Sequence, residues 1–261
     1  MKYTGQRYTI MHNIRISAVK YANTYPFIWG LKESGFDRKA IIETDHPAQC
    51  ASKLAGNRAD IGLIPVAAIP GVAGSNIISD YCIGANGKVR TVMLLGNCPF
   101  EEVNTISLDY RSVSSVTLVR VLARHMWNKE YKWVSTNERT DFFNIPCNEA
   151  VVLIGDQCFE SESKFSRRID LAEEWKKYTG LPFVFACWVA NKNLDERFLS
   201  EFNAALGLGV RNIDKVVEYF SDSGAIRNEV LKTYLTENID FKLDEKKHQA
   251  MKLFLELIKK I

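Results

Sequence analysis

Two stretches of the chain carry side chains whose types and spacing fit chemistry. The first, "VKYANTYPF" at residues 19–27, sets an amide, a hydroxyl and two phenols directly behind an apolar run. A plain turn needs only Gly, Asn, Asp or Pro and has little use for flanking tyrosines. Asn23 therefore reads as a hydrogen-bonding group at a strand end, with Tyr21 and Tyr25 as walls of a site or as packing. Pro26 is expected to stiffen the loop's exit.

The second stretch is "LDYRSVSSVTLVRVLARHMW", residues 108–127. A strand ends at Asp109, a polar turn follows, and Leu118, Val121, Leu122 and Met126 then recur at helical spacing from a start near Ser114. Helix N-termini usually carry an acid in the first turn to answer the free N–H groups and the dipole. Here the first turn offers Ser114, Ser115 and Thr117, with Arg111 just before it. Such an end suits an anion arriving from outside. Simple capping by Ser112 or Ser114 accounts for the same residues.

Three weaker signals lie at other strand ends. "LAGNRADIGLIPVAAIPG" reads as a helix end, a turn and a strand over 61–66, which puts Ile64 and Pro65 near a cleft if the sheet is parallel. "GANGKVRTVMLLG" places Arg90 and Thr91 at the start of a strand. Arg90 either balances a substrate carboxylate or pairs with a surface acid. "VVLIGDQCF" ends a strand at Gly155 and Asp156.

Several reaction classes find no support. There is no GxSxG, P-loop, GxGxxG or HExxH, and His12, His46, His125 and His248 do not cluster, so no histidine base is evident. The six cysteines are scattered with no CxxC pair and are expected to be buried thiols in a reducing cytosol. No metal and no cofactor is expected. Net charge is +3 without a Lys/Arg block, and Lys246-Lys247 and Lys259-Lys260 read as solvated helix faces, so nucleic acid is not an expected partner. Neither a signal-peptide core nor a bilayer-spanning segment stands out, which points to a cytoplasmic protein away from the membrane.

The elements that must position these residues follow from short apolar runs alternating with helical patterns. Strands are predicted at 14–19, 41–44, 61–66, 92–95, 105–108, 134–135, 151–154 and 183–190, with helices at 47–55, 115–127 and 170–179. Beyond Asn191 the chain reads as helices over 194–220, 225–235 and 244–261, the last capped by Asp244, with Met251, Phe254, Leu255 and Ile258 on one face. This is an α/β pattern of mostly parallel sheets with a helical tail. At 261 residues, with 46% hydrophobic and 25% charged residues, it fits a two-lobed molecule in which the chain crosses over and returns. The crossings are expected at 96–99 and 190–193. That gives one lobe of residues 12–96 plus 191–261, a second of 97–190, and an N-terminal extension of 1–11, with Met11 as an alternative start.

Taken in order, "ISAVKYANTYPFIWGL", "RADIGLIPVAAI", "KVRTVMLL", "ISLDYRSVSSVTLVRVL", "LIGD" and "LAEEWKKYTGLPFVFACWVA" resemble the chorismate dehydratase family of the futalosine route to menaquinone. The resemblance implies a type II periplasmic-binding-protein-like fold with substrate between the lobes. It also implies a hydro-lyase that removes water from chorismate to give 3-[(1-carboxyvinyl)oxy]benzoate, as a monomer or homodimer. On that footing Asn23 and Thr91 are the expected catalytic residues, Thr91 standing where relatives carry serine. Tyr21, Ile64, Pro65, Arg90, Asp109, Arg111, Ser114, Ser115, Asp156 and Phe183 are the expected substrate-binding residues. Arg111 and Val113 depart from the small or basic residues that relatives often show there. Two other readings stand beside this one: the sister dihydroxynaphthoate-forming enzyme, expected to need a histidine base, and a cytosolic small-anion-binding protein on the same fold.

Overall fold

The computed structural model describes residues 14–161, 163–221 and 226–261. The expected extension of 1–11 and the start of the first lobe at 12 lie outside them. Two sheets form the molecule. The chain lays down β1 (Ile14–Val19), β2 (Ala40–Asp45), β3 (Ile61–Pro65) and β4 (Asn76–Ala85) in the first. It builds β5 (Val92–Gly96), β6 (Thr105–Leu108), β7 (Lys132–Ser135), β8 (Glu149–Ile154) and β9 (Arg167–Asp170) into the second. It then returns with β10 (Phe183–Ala190) and β11 (Asp240–Lys242). The strand orders are β11-β4-β10-β3-β1-β2 and β7-β6-β8-β5-β9.

These memberships move both crossings. β5 pairs with β8 and β9, so the first crossing is at 86–91 and not 96–99. β10 pairs with β3 and β4, so the chain has already returned by Phe183, before the expected 190–193. Apolar runs of this length state that a strand is buried but not in which sheet. The expectation of mostly parallel sheets also fails where the chain changes lobe. β1–β2, β1–β3, β6–β7 and β6–β8 are parallel, whereas β5 and β10 run antiparallel to both their neighbours. A strand arriving from the other lobe has no reason to follow the local βαβ direction.

The helices are α1 (Tyr25–Glu33), α2 (Pro47–Ala55), α3 (Ser114–His125), α4 (Gln157–Ser161), α5 (Leu171–Thr179), α6 (Glu196–Val210), α7 (Ile213–Tyr219), α8 (Asn228–Thr233) and α9 (Glu245–Ile258). The predicted helix over 194–220 is thus two, broken at 211–212, and α8 runs into a π-helical turn at Tyr234–Asn238. The sequence pattern does not predict β4, β9, β11, α1 or α4. Asp244 does cap α9, accepting the Lys247 N–H at 2.9 Å. Lys246 is exposed as expected, but Lys247 is fully buried with its Nζ 2.5 Å from Asp240 Oδ2, so only half of that pair faces solvent. All six cysteines are free thiols, and Cys147 alone among them is exposed.

Every residue of β10 is buried, as expected of a strand paired on both edges and covered on both faces. Trp188 meets Phe27 of α1 and Phe202 of α6 edge-on, and Phe183 meets Trp175 of α5 and Phe254 of α9. α1 can approach α6 closely because both present glycine. A Cβ on Gly209 would lie 1.7 Å from the Pro26 carbonyl oxygen, and one on Gly30 would lie 2.1 Å from that of Ala205. α6 therefore tolerates a poor helix former at Gly209 in exchange for contact. Gly209→Ala is expected to lower stability by about 2 kcal/mol or more, although alanine favours an isolated helix by about 1 kcal/mol. Urea unfolding midpoints check this, and an unchanged or raised midpoint would contradict the close-contact account.

Candidate active site

The stretch that looked like a polar loop is a helix N-terminus. β1 ends at Val19, Tyr21 is extended, residues 22–24 make one 3-10 turn, and α1 begins with Pro26 in its first positions. Proline there lacks only an N–H that the helix could not use, which is why the sequence could be mistaken for a loop. The hydroxyl of Thr24 donates to Asn23 Oδ1 at 3.2 Å. No side chain of the segment caps the turn; the Ala22 N–H instead reaches both oxygens of Asp156, at 3.1 and 3.2 Å, across to the second lobe.

Further contacts draw the lobes together. Ser114 Oγ donates to the Phe185 carbonyl of β10 at 2.9 Å and accepts the Ala67 N–H at 3.2 Å. The Ala48 N–H, in the first turn of α2, donates to the Arg111 carbonyl at 3.2 Å. Tyr21 packs its ring on Gly155, where any Cβ would come within 2.6 Å of the ring and where φ is +75°. Glycine is required there both for the backbone and for the approach. At the rim, the Tyr21 hydroxyl and His46 Nδ1 are 3.3 Å apart, and the His46 ring meets Tyr110 edge-on. Burial, with Lys20 and Arg111 nearby, holds His46 below the ordinary imidazole pKa.

Between the lobes lies a cleft with about 480 Å³ of space not filled by atoms, part of it continuous with solvent. Its wall is mostly apolar, including Val19, Ile83, Val92, Ile154 and Phe185, with a few polar groups: Asn23, Thr91, Ser112, Ser114 and Ser115. That is the usual make-up of a small-molecule site. Of the expected site residues, Tyr21, Asn23, Pro65, Thr91, Ser114 and Ser115 line it. Ser115 N–H is taken by Ser112 Oγ at 3.1 Å, and the first turn of α3 holds no acid.

The other expected residues lie elsewhere. Ile64 and Phe183 are core residues of β3 and β10, and it is Phe185, two positions on, that faces the cleft. Arg90 has φ +65° and carries its guanidinium over the Phe159 ring, 5.2 Å from the centroid, in a neighbouring cavity. Asp109 is fully buried and clasps Arg111 in a two-bond fork of 2.6 and 2.7 Å, with Gln157 Nε2 at 3.2 Å. Asp156 sits behind the wall; burial pushes its carboxyl up to about 6, against the pull of the Ala22 N–H. Among the described residues, no group of three or more His, Cys, Asp or Glu is placed to hold a metal, and no helix is long and apolar enough to cross a membrane.

Residues 14–260 match a protein family described as menaquinone biosynthesis. The chain belongs to that family. Solved structures agree on the fold. Protein AF1704 from Archaeoglobus fulgidus superposes with a TM-score of 0.75 at 14% identity, over 95% of this chain and 97% of that one. The Candida albicans CA3427 gene product, described as having the generic periplasmic binding protein fold, gives 0.64 at 12% identity over 95% and 94%. The alkanesulfonate-binding protein SsuA from Xanthomonas axonopodis pv. citri, bound to MOPS, gives 0.63 at 10% over 93% and 89%. The protein thus has the periplasmic-binding-protein-like architecture and a part in making menaquinone.

Sequence reasoning missed Phe185, Gly155 as a contact, and Tyr234. The last is a fully buried residue whose hydroxyl lies 2.8 Å from Thr91 Oγ1. Tyrosine in a helical pattern looks like core, so only the fold could reveal that contact. The raised carboxyl of Asp156 gives a pH signature. The folded protein keeps its proton between an ordinary carboxylate pKa and about 6, while the unfolded chain has lost it. Asp156 therefore subtracts stability as pH rises through that window. Asp156→Asn is expected to remove this decline, so unfolding midpoints of wild type and variant should diverge between pH about 4 and about 7. A constant difference across that range would remove the perturbed carboxyl.

Proposed function

We propose that the protein is a chorismate dehydratase, a carbon–oxygen lyase of the futalosine route acting in the cytoplasm. What carries the reading is that Asn23 and Thr91, from segments almost seventy residues apart, line one cleft whose wall is otherwise largely apolar. In the reaction a ring C–H and the ring C–OH are lost together as water. The proton leaves carbon, the C–O bond breaks, and the product 3-[(1-carboxyvinyl)oxy]benzoate gains an aromatic ring. Aromatisation drives the step, so the protein need mainly bind, orient and assist proton transfer.

No histidine is among the cleft-lining residues, and His46 at the rim is engaged by Tyr21 and covered by Tyr110. The substrate's own enolpyruvyl carboxylate serves as base in this reading. An apolar cleft raises the basicity of a carboxylate that enters it, which suits that role. The amide of Asn23 and the hydroxyl of Thr91 then offer donors to the leaving oxygen, and the acid-free first turn of α3, with Ser112 and Ser115, seats a second carboxylate.

The test is to incubate the purified protein with chorismate and follow loss of the diene absorbance together with appearance of the benzoate product. Asn23→Ala and Thr91→Ala are each expected to reduce kcat/KM by about a hundredfold. Wild-type turnover in both variants would remove these residues from the mechanism. Binding of chorismate without turnover would instead favour the small-anion-binding reading, and absence of binding would end the chorismate assignment.

A further inference from the structure

We propose that Tyr234 is a positioning residue that fixes the Thr91 hydroxyl as a hydrogen-bond donor facing the cleft. The proposal rests on the reading of Thr91 given above and adds the group that aims it. Tyr234 opens the π-helical turn after α8, which closes with the Ile239 N–H on the Tyr234 carbonyl at 3.1 Å. A π-turn is uncommon and recurs at functional sites, where it re-aims one side chain. Here it directs a side chain with no exposed surface at the back of the cleft wall, and Phe159 holds the ring edge-to-face, 5.2 Å between centroids. The phenol does not itself line the cleft.

Proton accounting gives the direction. The Tyr234 hydroxyl and Thr91 Oγ1 are 2.8 Å apart, a distance at which either can donate. The charge of Asp156 and the Asn23 side chain also act on the phenol. Asn23 lowers the phenol's pKa, as a donated N–H does, and an amide NH₂ only donates; the Asn23 oxygen accepts from Thr24. The single phenol proton therefore goes to Thr91 Oγ1, the partner able to accept it. Thr91 is left with its own proton, and its other acceptor, the Val89 carbonyl, is at the limit of reach at 3.5 Å. The chain of donors runs from Asn23 through Tyr234 to Thr91 and out into the cleft. Burial raises the phenol's pKa, outweighing the opposing effects of Thr91 and Asn23, so the proton stays on Tyr234 throughout the working range.

Tyr234→Phe keeps the ring and its packing and removes only the hydroxyl. With chorismate as substrate, kcat is expected to fall about tenfold. KM is expected to stay within about threefold, since the donor acts on charge that develops in the reaction. Adding Tyr234→Phe to Thr91→Val is expected to cost nothing further, because the phenol acts through the threonine. Wild-type kcat in Tyr234→Phe, or losses that multiply in the double variant, would overturn the proposal. A second readout is independent of substrate. The Asn23 side-chain NH₂ signals in the NMR spectrum of nitrogen-labelled protein, assigned by their loss in Asn23→Ala, should shift in Tyr234→Phe. Unmoved signals overturn the positioning role. Failure of the wild type to consume chorismate overturns the dehydratase reading alone and leaves the NMR result to decide Tyr234.

Discussion

The carboxylate of Asp170 organises the place where the lobes join. Its Oδ2 accepts the N–H groups of Val89 and Arg90 at 2.9 and 2.7 Å, and its Oδ1 accepts those of Ala172 and Glu173 at 3.0 and 3.1 Å. One side chain thus caps α5 and pins the segment that carries the chain into the second lobe. Burial pushes its pKa up, opposed by the hydrogen bonds from those same four N–H groups. Because Arg90 is held there with a left-handed backbone, its side chain turns over Phe159 while Thr91 next to it faces the cleft. The aim of the candidate catalytic hydroxyl therefore begins with a capping interaction.

Backbone groups supply most of the partners in the hydrogen bonds described between the lobes. Ala22, Ala48 and Ala67 offer N–H groups, Phe185 and Arg111 offer carbonyls, Asp156 and Ser114 contribute side-chain partners, and the Tyr21 ring packs on Gly155. The charged groups nearby are already neutralised: Asp109 takes Arg111 in a buried fork. A cleft closed by amides and carbonyls keeps fixed dipoles at its edge while its wall remains apolar. Such surroundings make a bound carboxylate a stronger base and a positioned hydroxyl a more effective donor than either would be in water.

Much of this was legible in the sequence, and the gaps have physical causes. Polar residues after apolar runs pointed to Asn23, Ser114 and Ser115, because the carboxyl ends of strands are where α/β proteins expose chemistry, whereas Thr91, at a strand's start, was singled out by the family resemblance. The two-lobed plan followed from the alternation and the helical tail. Sheet membership of β5 and β10 did not, since it depends on pairing with distant strands. α1 was hidden by Pro26, which stiffens a loop and starts a helix equally well. The burial of Lys247 needed Asp240 brought beside it by β11, a three-residue strand too short to leave a pattern. Phe183 and Phe185 stand two residues apart and share a face by alternation, so only their places along β10, with its register shift between Val184 and Ala186, decide which lines the cleft, and the sequence pattern does not carry that.

The chain joins the lobes through residues 86–91 and 180–182, and Thr91 is the last residue of the first connection. Any rotation of one lobe against the other must be taken up in those two short segments. The connection and the candidate catalytic hydroxyl are therefore neighbours on one piece of backbone. Were the lobes to spread, Thr91 would turn relative to Tyr234, which belongs to the first lobe, and the 2.8 Å contact between their hydroxyls would be lost. On the proposed reading, admitting a ligand and acting on it would then be mechanically exclusive, with alignment restored as the lobes come back together.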